Sequence, residues 1–271
     1  MHTPSTALSA QTLTLEGPDA GAFAQAQFSS DVLALAIGQW QWSGWLDAQG
    51  RVRALLQLAR LGDQRYLLLL RGGDASSMVE GLRRFVFRSK VKIEAAAARP
   101  LIDGAVLDMH HVRQHDAGID LGMGTYSMTI AETHDGIMQR WRAKNIAQGY
   151  AWLPDEALDA LLAPALSMER LQAISFAKGC FPGQEIVARL HYRGGHKRHL
   201  HRVELSQAVT PGSALHVNGK DCGIVLDVVA NEAGAHALAV IADNAAEHAL
   251  SADIRVVDHA TRIRIDATFA A

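Results

Sequence analysis

The chemistry in this chain concentrates in one octapeptide, Lys178-Gly179-Cys180-Phe181-Pro182-Gly183-Gln184-Glu185, which holds one of only two cysteines in 271 residues. The thiolate is the reactive form of cysteine. It is favoured beside an ammonium and near a helix N-terminus, relative to an ordinary pKa of about 8.5. Lys178 stands two residues before Cys180, and Ile186, Val187 and Leu190 follow at helical spacing. Two glycines and a proline exclude a helix interior or a central strand between them. The stretch therefore predicts a buried element over 171–176, a tight loop carrying Cys180, and a short helix. In a reactive reading, Cys180 and Lys178 do the chemistry. In a structural reading, Cys180 is an inert turn thiol, since free cysteine is commonly a small core hydrophobe. The residues alone leave both open.

A second concentration follows. Arg189 to Arg202 is the most basic stretch of the chain and carries His191, His196, His199 and His201. It reads either as a solvated loop face or as an anion site for carboxylates or phosphates. No thiolate or acidic residue joins the histidines locally, so no metal site is expected there.

The elements that position these groups read as α+β. Thr12 to Leu15 alternates as a strand, and Asp19 opens a helix through Phe23 and Gln27. Trp40 to Leu46, Val52 to Ala59 and Tyr66 to Leu70 read as strands around turns at Asp47–Gly50 and Gly62–Asp63. Asp74 caps a helix expected to run through Met78, Leu82 and Phe85, and Val91 to Ile93 closes the unit. Arg99-Pro100 marks a boundary, with strands expected over Leu101–Leu107 and within Gly118–Ile130, and a turn at Asp135-Gly136. Asp155-Glu156 is expected to begin a helix through Leu158, Leu161 and Leu162 that Pro164 ends. From His199 onward short strands recur, with Asn218-Gly219 as a hairpin signal, and their spacing predicts a small barrel.

The totals bound the function. Hydrophobic residues make up 49% and charged residues 20%, which predicts a sizeable core rather than disorder. The formal net charge of -2 excludes a surface that binds nucleic acid everywhere, but not a local basic patch. Two cysteines 42 positions apart make neither a disulfide framework nor a cysteine-based metal or cluster site. A reducing cytoplasm is expected. The first eleven residues lack the charged and apolar regions of a signal peptide, and no apolar run approaches the roughly 18 residues of a membrane span.

Lys178 to Glu185, with Val187-Ala188-Arg189 and Tyr192-Arg193-Gly194, resembles the signature of the YgfZ family, folate-binding relatives of the glycine-cleavage T-protein, an aminomethyltransferase. The resemblance extends to Gly17-x-Asp19-Ala20, Phe23-x-Gln25-x-Gln27, Asp31-Val32 and the hairpin Leu46 to Arg51. Trp141-x-x-x-Asn145-Ile146-x-x-Gly149 resembles a segment whose tryptophan lines the folate site in that family, although Trp141 on its own also reads as a core aromatic. The resemblance implies three lobes, 1–98, 99–198 and 199–271, in a ring around a folate cavity, the last a small β-barrel. It implies tetrahydrofolate or a derivative as cofactor, held by Trp141, Asn145, Gln184, Glu185 and Arg189, with Lys178 available to a carboxylate tail. It further implies a role in assembling or maintaining iron–sulfur proteins, including radical enzymes that thiolate tRNA. Arg189 to Arg202 is then the expected tRNA contact. The alternative is a folate-dependent aminomethyl transferase or demethylase component. Two departures matter. Where the transferases carry an acidic pair, this chain has Ala54-Leu55, which cannot act as a base. Where some relatives place a folate-contacting tryptophan, it has Ala10.

Overall fold

The computed structural model describes residues 8–133, 139–248, 254–256 and 261–270. The turn expected at Asp135-Gly136 lies outside them. The described residues are a mixed α and β structure built on three sheets. The first has the order Gln39–Leu46, Val52–Gly62, Arg65–Leu70, Thr12–Glu16, Lys92–Ala95, antiparallel throughout. Alternate side chains of a strand point to opposite faces, and here both faces are covered. Leu68 and Leu70 pack with Phe23, Met78 and Leu82 of helices Ala20–Gln27 and Ala75–Arg83. Leu67 and Leu69 face the other way, into a larger core that holds Trp40, Trp42, Trp141 and Trp152. The expected cap on the second helix is present, with Asp74 accepting from Ser77 N at 2.8 Å. That helix ends at Arg83, two residues short of the expected Phe85, which is exposed.

The second sheet runs Ser9–Ala10, Arg99–Gly104, Ser127–Ala131, Gly118–Gly122, Val112–His115. Ser9 and Ala10 pair with Pro100 and Arg99, so the first described residues belong to this sheet rather than to the one beside it in sequence. Helix Trp141–Gln148 follows and stops at Gly149, whose φ of 71° suits a residue without a Cβ.

A buried arginine joins the two units. Arg71 is fully buried at the end of strand Arg65–Leu70. Its Nε donates to Ala151 O at 3.2 Å, Nη2 to Tyr150 O at 2.9 Å and Nη1 to Gln57 Oε1 at 3.3 Å. Asn145 completes the set when its amide is oriented with the oxygen toward the guanidinium, as the surrounding donors and acceptors require: the oxygen then accepts from Nη1 at 3.2 Å and Nη2 at 3.0 Å, and the nitrogen donates to the Tyr126 hydroxyl. The guanidinium also lies over the rings of Trp42 and Trp152, at 5.4 and 4.6 Å from their centroids. Burial pushes its pKa down to about 10, against the field of Tyr126 and Asp227.

The helix expected from Asp155 does not form. Asp155–Ala157 and Ala163–Leu166 are single 3-10 turns. Between them the chain straps the start of strand Val52–Gly62, ahead of its pairing with Arg65–Leu70, with Val52 N donating to Leu161 O at 2.8 Å and Asp159 N to Val52 O at 2.9 Å. Those bonds take backbone groups that a helix would have used internally. Asp159 sits at φ 55°, which breaks any helix there. The helical apolar spacing of Leu158, Leu161 and Leu162 is therefore not realised as a helix.

From Arg198 onward, six strands pair in a closed cycle: Arg198–Leu205, Gly234–Ala242, Lys220–Asn231, Ala214–Val217, Ile254–Val256 and Arg262–Thr268. Asn218 and Gly219 turn one of its hairpins at φ 52° and 76°. His201 is 3% exposed, with Nδ1 2.9 Å from Thr268 Oγ1. Burial, and then the charge of His199, push its pKa from the usual 6.5 down to about 4. The unfolded chain thus binds a proton that the folded chain refuses between pH 6.5 and 4. Stability from this group is complete above pH 6.5 and falls as the pH drops through that window. Urea unfolding at pH 7 and pH 5 should show wild type losing about 2 kcal/mol more than His201→Gln. An identical loss in both would contradict this account.

Candidate functional site

The Cys180 loop is held from both ends against the first sheet. Lys178 is 9% exposed, and its Nζ donates to Gln25 O, to Phe28 O and, at 2.9 Å, to Ser30 O. These carbonyls lie at and beyond the C-terminus of helix Ala20–Gln27, where a cation complements the open acceptors and the helix dipole. Gln25 organises the receiving turn, its Oε1 accepting from Val32 N at 2.7 Å and its Nε2 donating to Asp31 at 3.0 Å. On the other side of the thiol, Phe181 is buried, with Lys178 Nζ 5.2 Å from its ring centroid. Gly183 at φ 78° presses on the Asp47–Gly50 hairpin, where an added Cβ would come within 2.5 Å of Asp47 O. Two anchored neighbours thus leave Gly179 and Cys180 at the tip, and Cys180 is exposed. Helix Gln184–Arg193 follows, matching the loop-then-helix expectation.

This geometry changes the role of Lys178. All three ammonium hydrogens go to backbone carbonyls, so the side chain is an anchor, not a partner for the thiol or for a ligand carboxylate. Burial lowers its pKa to about 8, with Asp31 pulling the other way.

The residues expected to hold a cofactor do not come together. Gln184 is half-buried at the helix start, and Glu185 and Arg189 are exposed on its outer face. Asn145 is fully buried and bonded to Arg71 and Tyr126, so its amide is not open to a ligand. Trp141 is 1% exposed and packs on Trp152 with centroids 5.8 Å apart, so it offers no face to a ligand and belongs to the core. Much of the basic stretch is neutralised locally. Arg198 pairs with Asp221, His199 with Asp243 and Arg202 with Asp266, while His191 meets Glu169. Ala54 and Leu55 are buried apolar residues of strand Val52–Gly62, and that position carries no base.

A different set of residues forms a cavity of about 370 Å³ to which all three β units contribute. Gln11 and Gly72 come from the first unit, Arg142 and Trp152 from the second, and Leu226 and Asp227 from the barrel. None of Lys178, Cys180, Gln184, Glu185 or Arg189 lines it. Asp227 is 2% exposed. Its Oδ1 accepts from Arg142 Nη2 at 2.8 Å and from Val228 N at 2.9 Å. Its Oδ2 is buried and has no hydrogen-bond partner among the described residues. A strand irregularity between Val225 and Asp227 re-aims this side chain. Sequence reasoning passed over both key residues. Trp152 belongs to no motif, but a lone carboxylate inside the apolar run Gly223–Val229 is a signal that could have identified Asp227.

Two outcomes follow for this region. Iodoacetamide should label Cys180 in the native protein and leave Cys222 untouched, since Cys222 is buried and its thiol pKa is pushed up to about 11. Mass spectrometry showing equal labelling at both would contradict the geometry. Trp141→Ala should act through stability, costing about 3–5 kcal/mol in urea unfolding as a large core truncation. A fully stable variant would return Trp141 to the list of ligand contacts.

No family model matches the chain. Its curated relatives include the tRNA-modifying protein YgfZ of Serratia proteamaculans, 25% identical over a gapped alignment of 308 positions that covers 98% of this chain and 90% of the relative. The YgfZ protein of Photobacterium profundum is 29% identical over 235 residues, 75% of this chain and 70% of its own. Among solved structures, the glycine cleavage system aminomethyltransferase T from Bartonella henselae superposes with a TM-score of 0.66 over 95% of this chain and 83% of its own, at 17% identity. The octapeptide is displayed on a fold shared with an aminomethyltransferase, and relatives of one name span almost the whole chain; together these similarities support the YgfZ family with a T-protein-like fold.

Proposed function

We propose that the protein binds a reduced folate, tetrahydrofolate or a derivative, in the cavity between Trp152 and Asp227. The observation that carries this reading is that Asp227, whose buried Oδ2 has no hydrogen-bond partner among the described residues, lines a cavity that Trp152 also lines. A pterin is flat and aromatic and carries amino and ring N–H donors. Its site needs an apolar platform and a few fixed polar groups. Trp152 is the platform, backed by Trp141 and by the guanidinium of Arg71. Asp227 is the acceptor, and Gln11 offers a neutral donor and acceptor beside it. The volume lies at the small end of the ~300–1,000 Å³ usual for such sites, which fits a pterin head with its tail outside. Bound there, a folate supplies a one-carbon carrier or a reduced ring; the protein's own residues bind and orient it.

In this reading the ring of three lobes, 1–98, 99–198 and 199–271, surrounds the folate. The biological role is tetrahydrofolate-dependent assembly or maintenance of iron–sulfur proteins, among them enzymes that modify tRNA. The printed name of the relatives, tRNA-modifying protein, supports the last part. Cys180 is the second functional group, a displayed thiol outside the cavity. The compartment is the cytoplasm; among the described residues no helix is long and apolar enough to cross a membrane. The aminomethyl-transfer alternative has the shared fold in its favour. Against it stand Ala54 and Leu55, buried where the transferases hold their acidic pair.

Isothermal titration with tetrahydrofolate and folinic acid tests the proposal. Wild type should bind, and Trp152→Ala should weaken binding roughly 5- to 10-fold, consistent with an aromatic contact worth about 0.5–1.5 kcal/mol beyond its area. Asp227→Asn keeps the shape and should weaken it further. No binding by wild type at millimolar folate would defeat the proposal. In the same preparations no methylene-tetrahydrofolate should form from an aminomethylated carrier protein. Turnover at transferase-like rates would favour the alternative.

A further inference from the structure

The strongest unassigned surface lies far from the octapeptide in sequence. Residues 83–92 read Arg-Arg-Phe-Val-Phe-Arg-Ser-Lys-Val-Lys, five cations with no carboxylate among them, in a chain whose formal net charge is -2. Arg83, Arg84, Arg88, Lys90 and Lys92 are all exposed. Of these only Lys92 forms an ion pair among the described residues, with Glu94 at 2.8 Å. Phe87 is 88% exposed and Phe85 41%. Arg84 lies 5.0 Å from the Phe85 ring centroid and Arg88 5.6 Å from that of Phe87.

The segment is a built surface rather than a loose one. Successive turns fix its backbone, with Phe85 N donating to Leu82 O, Val86 N to Arg83 O and Ser89 N to Val86 O. Val86 and Val91 pack against the core of the first unit, and Asp19 Oδ2 accepts from Lys90 N at 2.6 Å. The fold therefore anchors the alternate valines and leaves the phenylalanines in water. Leaving such a ring exposed forgoes a contribution of about 1.5–3 kcal/mol, and the packing around it does not explain that. The nearby acidic groups are Glu16, which lies opposite Lys92 across the strand pair, Asp19, Glu80 and Glu94. Two of them already have partners, Asp19 on Lys90 N and Glu94 on Lys92.

We propose that Arg83–Lys92 is a docking surface for single-stranded RNA, with Phe87 stacking on a base and Arg84, Arg88 and Lys90 on flanking phosphates. Exposed aromatic rings among unpaired cations are how sequence-tolerant single-strand binding is built. The basic stretch after the octapeptide is less suited, because half of its arginines and histidines are already matched by carboxylates. One exposed ring and its neighbour offer too little apolar area to anchor a membrane. The inference stands apart from the folate reading, and either can fail alone.

Fluorescence anisotropy with a labelled 12-nucleotide single-stranded RNA tests it, across 50–300 mM salt, on the full chain. Wild type should bind at low salt, with affinity falling steeply as salt rises, by a slope of about -0.7 per phosphate engaged. Phe87→Ala should weaken binding roughly 5- to 100-fold, what one stacked base is worth. Arg84→Gln with Arg88→Gln should flatten the slope by about 1.4. All three positions are exposed, so circular dichroism should stay native. Unchanged affinity in Phe87→Ala would overturn the proposal. So would loss of binding in Arg189→Gln with Arg193→Gln but not in the Arg83–Lys92 variants. Equal binding of polyglutamate, abolished by the same variants, would assign the surface to an acidic protein instead.

Discussion

The structure depends on a guanidinium that has left water without meeting a carboxylate. Among the described residues Arg71 forms no ion pair; its hydrogens go to two carbonyls and two side-chain amides, and its faces to two indoles. An unpaired buried charge is costly unless every donor is satisfied, so the surrounding chain has little freedom. Tyr150 and Ala151 must present their carbonyls, Leu153 N returns a bond to Arg71 O at 2.7 Å, and Trp152 must lie across the guanidinium. Gly72 then passes so close that a Cβ would meet Leu153 O at 2.1 Å, at a φ of 125° that favours glycine. The cavity wall is the outer side of this arrangement.

That dependence accounts for the inward placement of Trp141 and Asn145, the two residues of the segment that resembles the family's folate segment. Trp141 and Asn145 lie on one helix face, as their spacing of four implies, but the face is turned inward. Asn145 completes the arginine's partners and Trp141 supports Trp152. Trp152, one layer further out, is the aromatic that lines the cavity. Lys178 shows the same logic at the octapeptide. A residue that reads as a reactive cation is consumed in closing a helix end, and the display of Cys180 is what that anchoring achieves.

Local chemistry was legible in the sequence where one residue decides one turn. Asp74 as a cap, Asp47–Gly50 and Asn218-Gly219 as turns, and Tyr66 to Leu70 as a strand all correspond to what the fold contains. The shortfalls occur where a distant strand competes for the backbone. The Asp155–Leu162 run carries helical apolar spacing, yet the free edge at Val52 takes its backbone groups. Phe85 continues the spacing of Met78 and Leu82 but lies beyond the helix end and in solvent. Arg71 carries no sequence signal of its own, because an arginine after an apolar strand reads as a solvent-facing terminus. Only three-dimensional closure reveals it as interior, and with it the roles of Trp152 and Asp227.

The account's central claim concerns where a folate sits. A crystal structure of the protein with folinic acid bound tests it most directly. The account predicts pterin density on the Trp152 ring, with a donor of the pterin within hydrogen-bond distance of Asp227 Oδ2 and the glutamate tail leading out of the cavity. Clear ligand density against the Cys180 loop or the exposed face of Gln184–Arg193, with the Trp152 cavity empty, would contradict it.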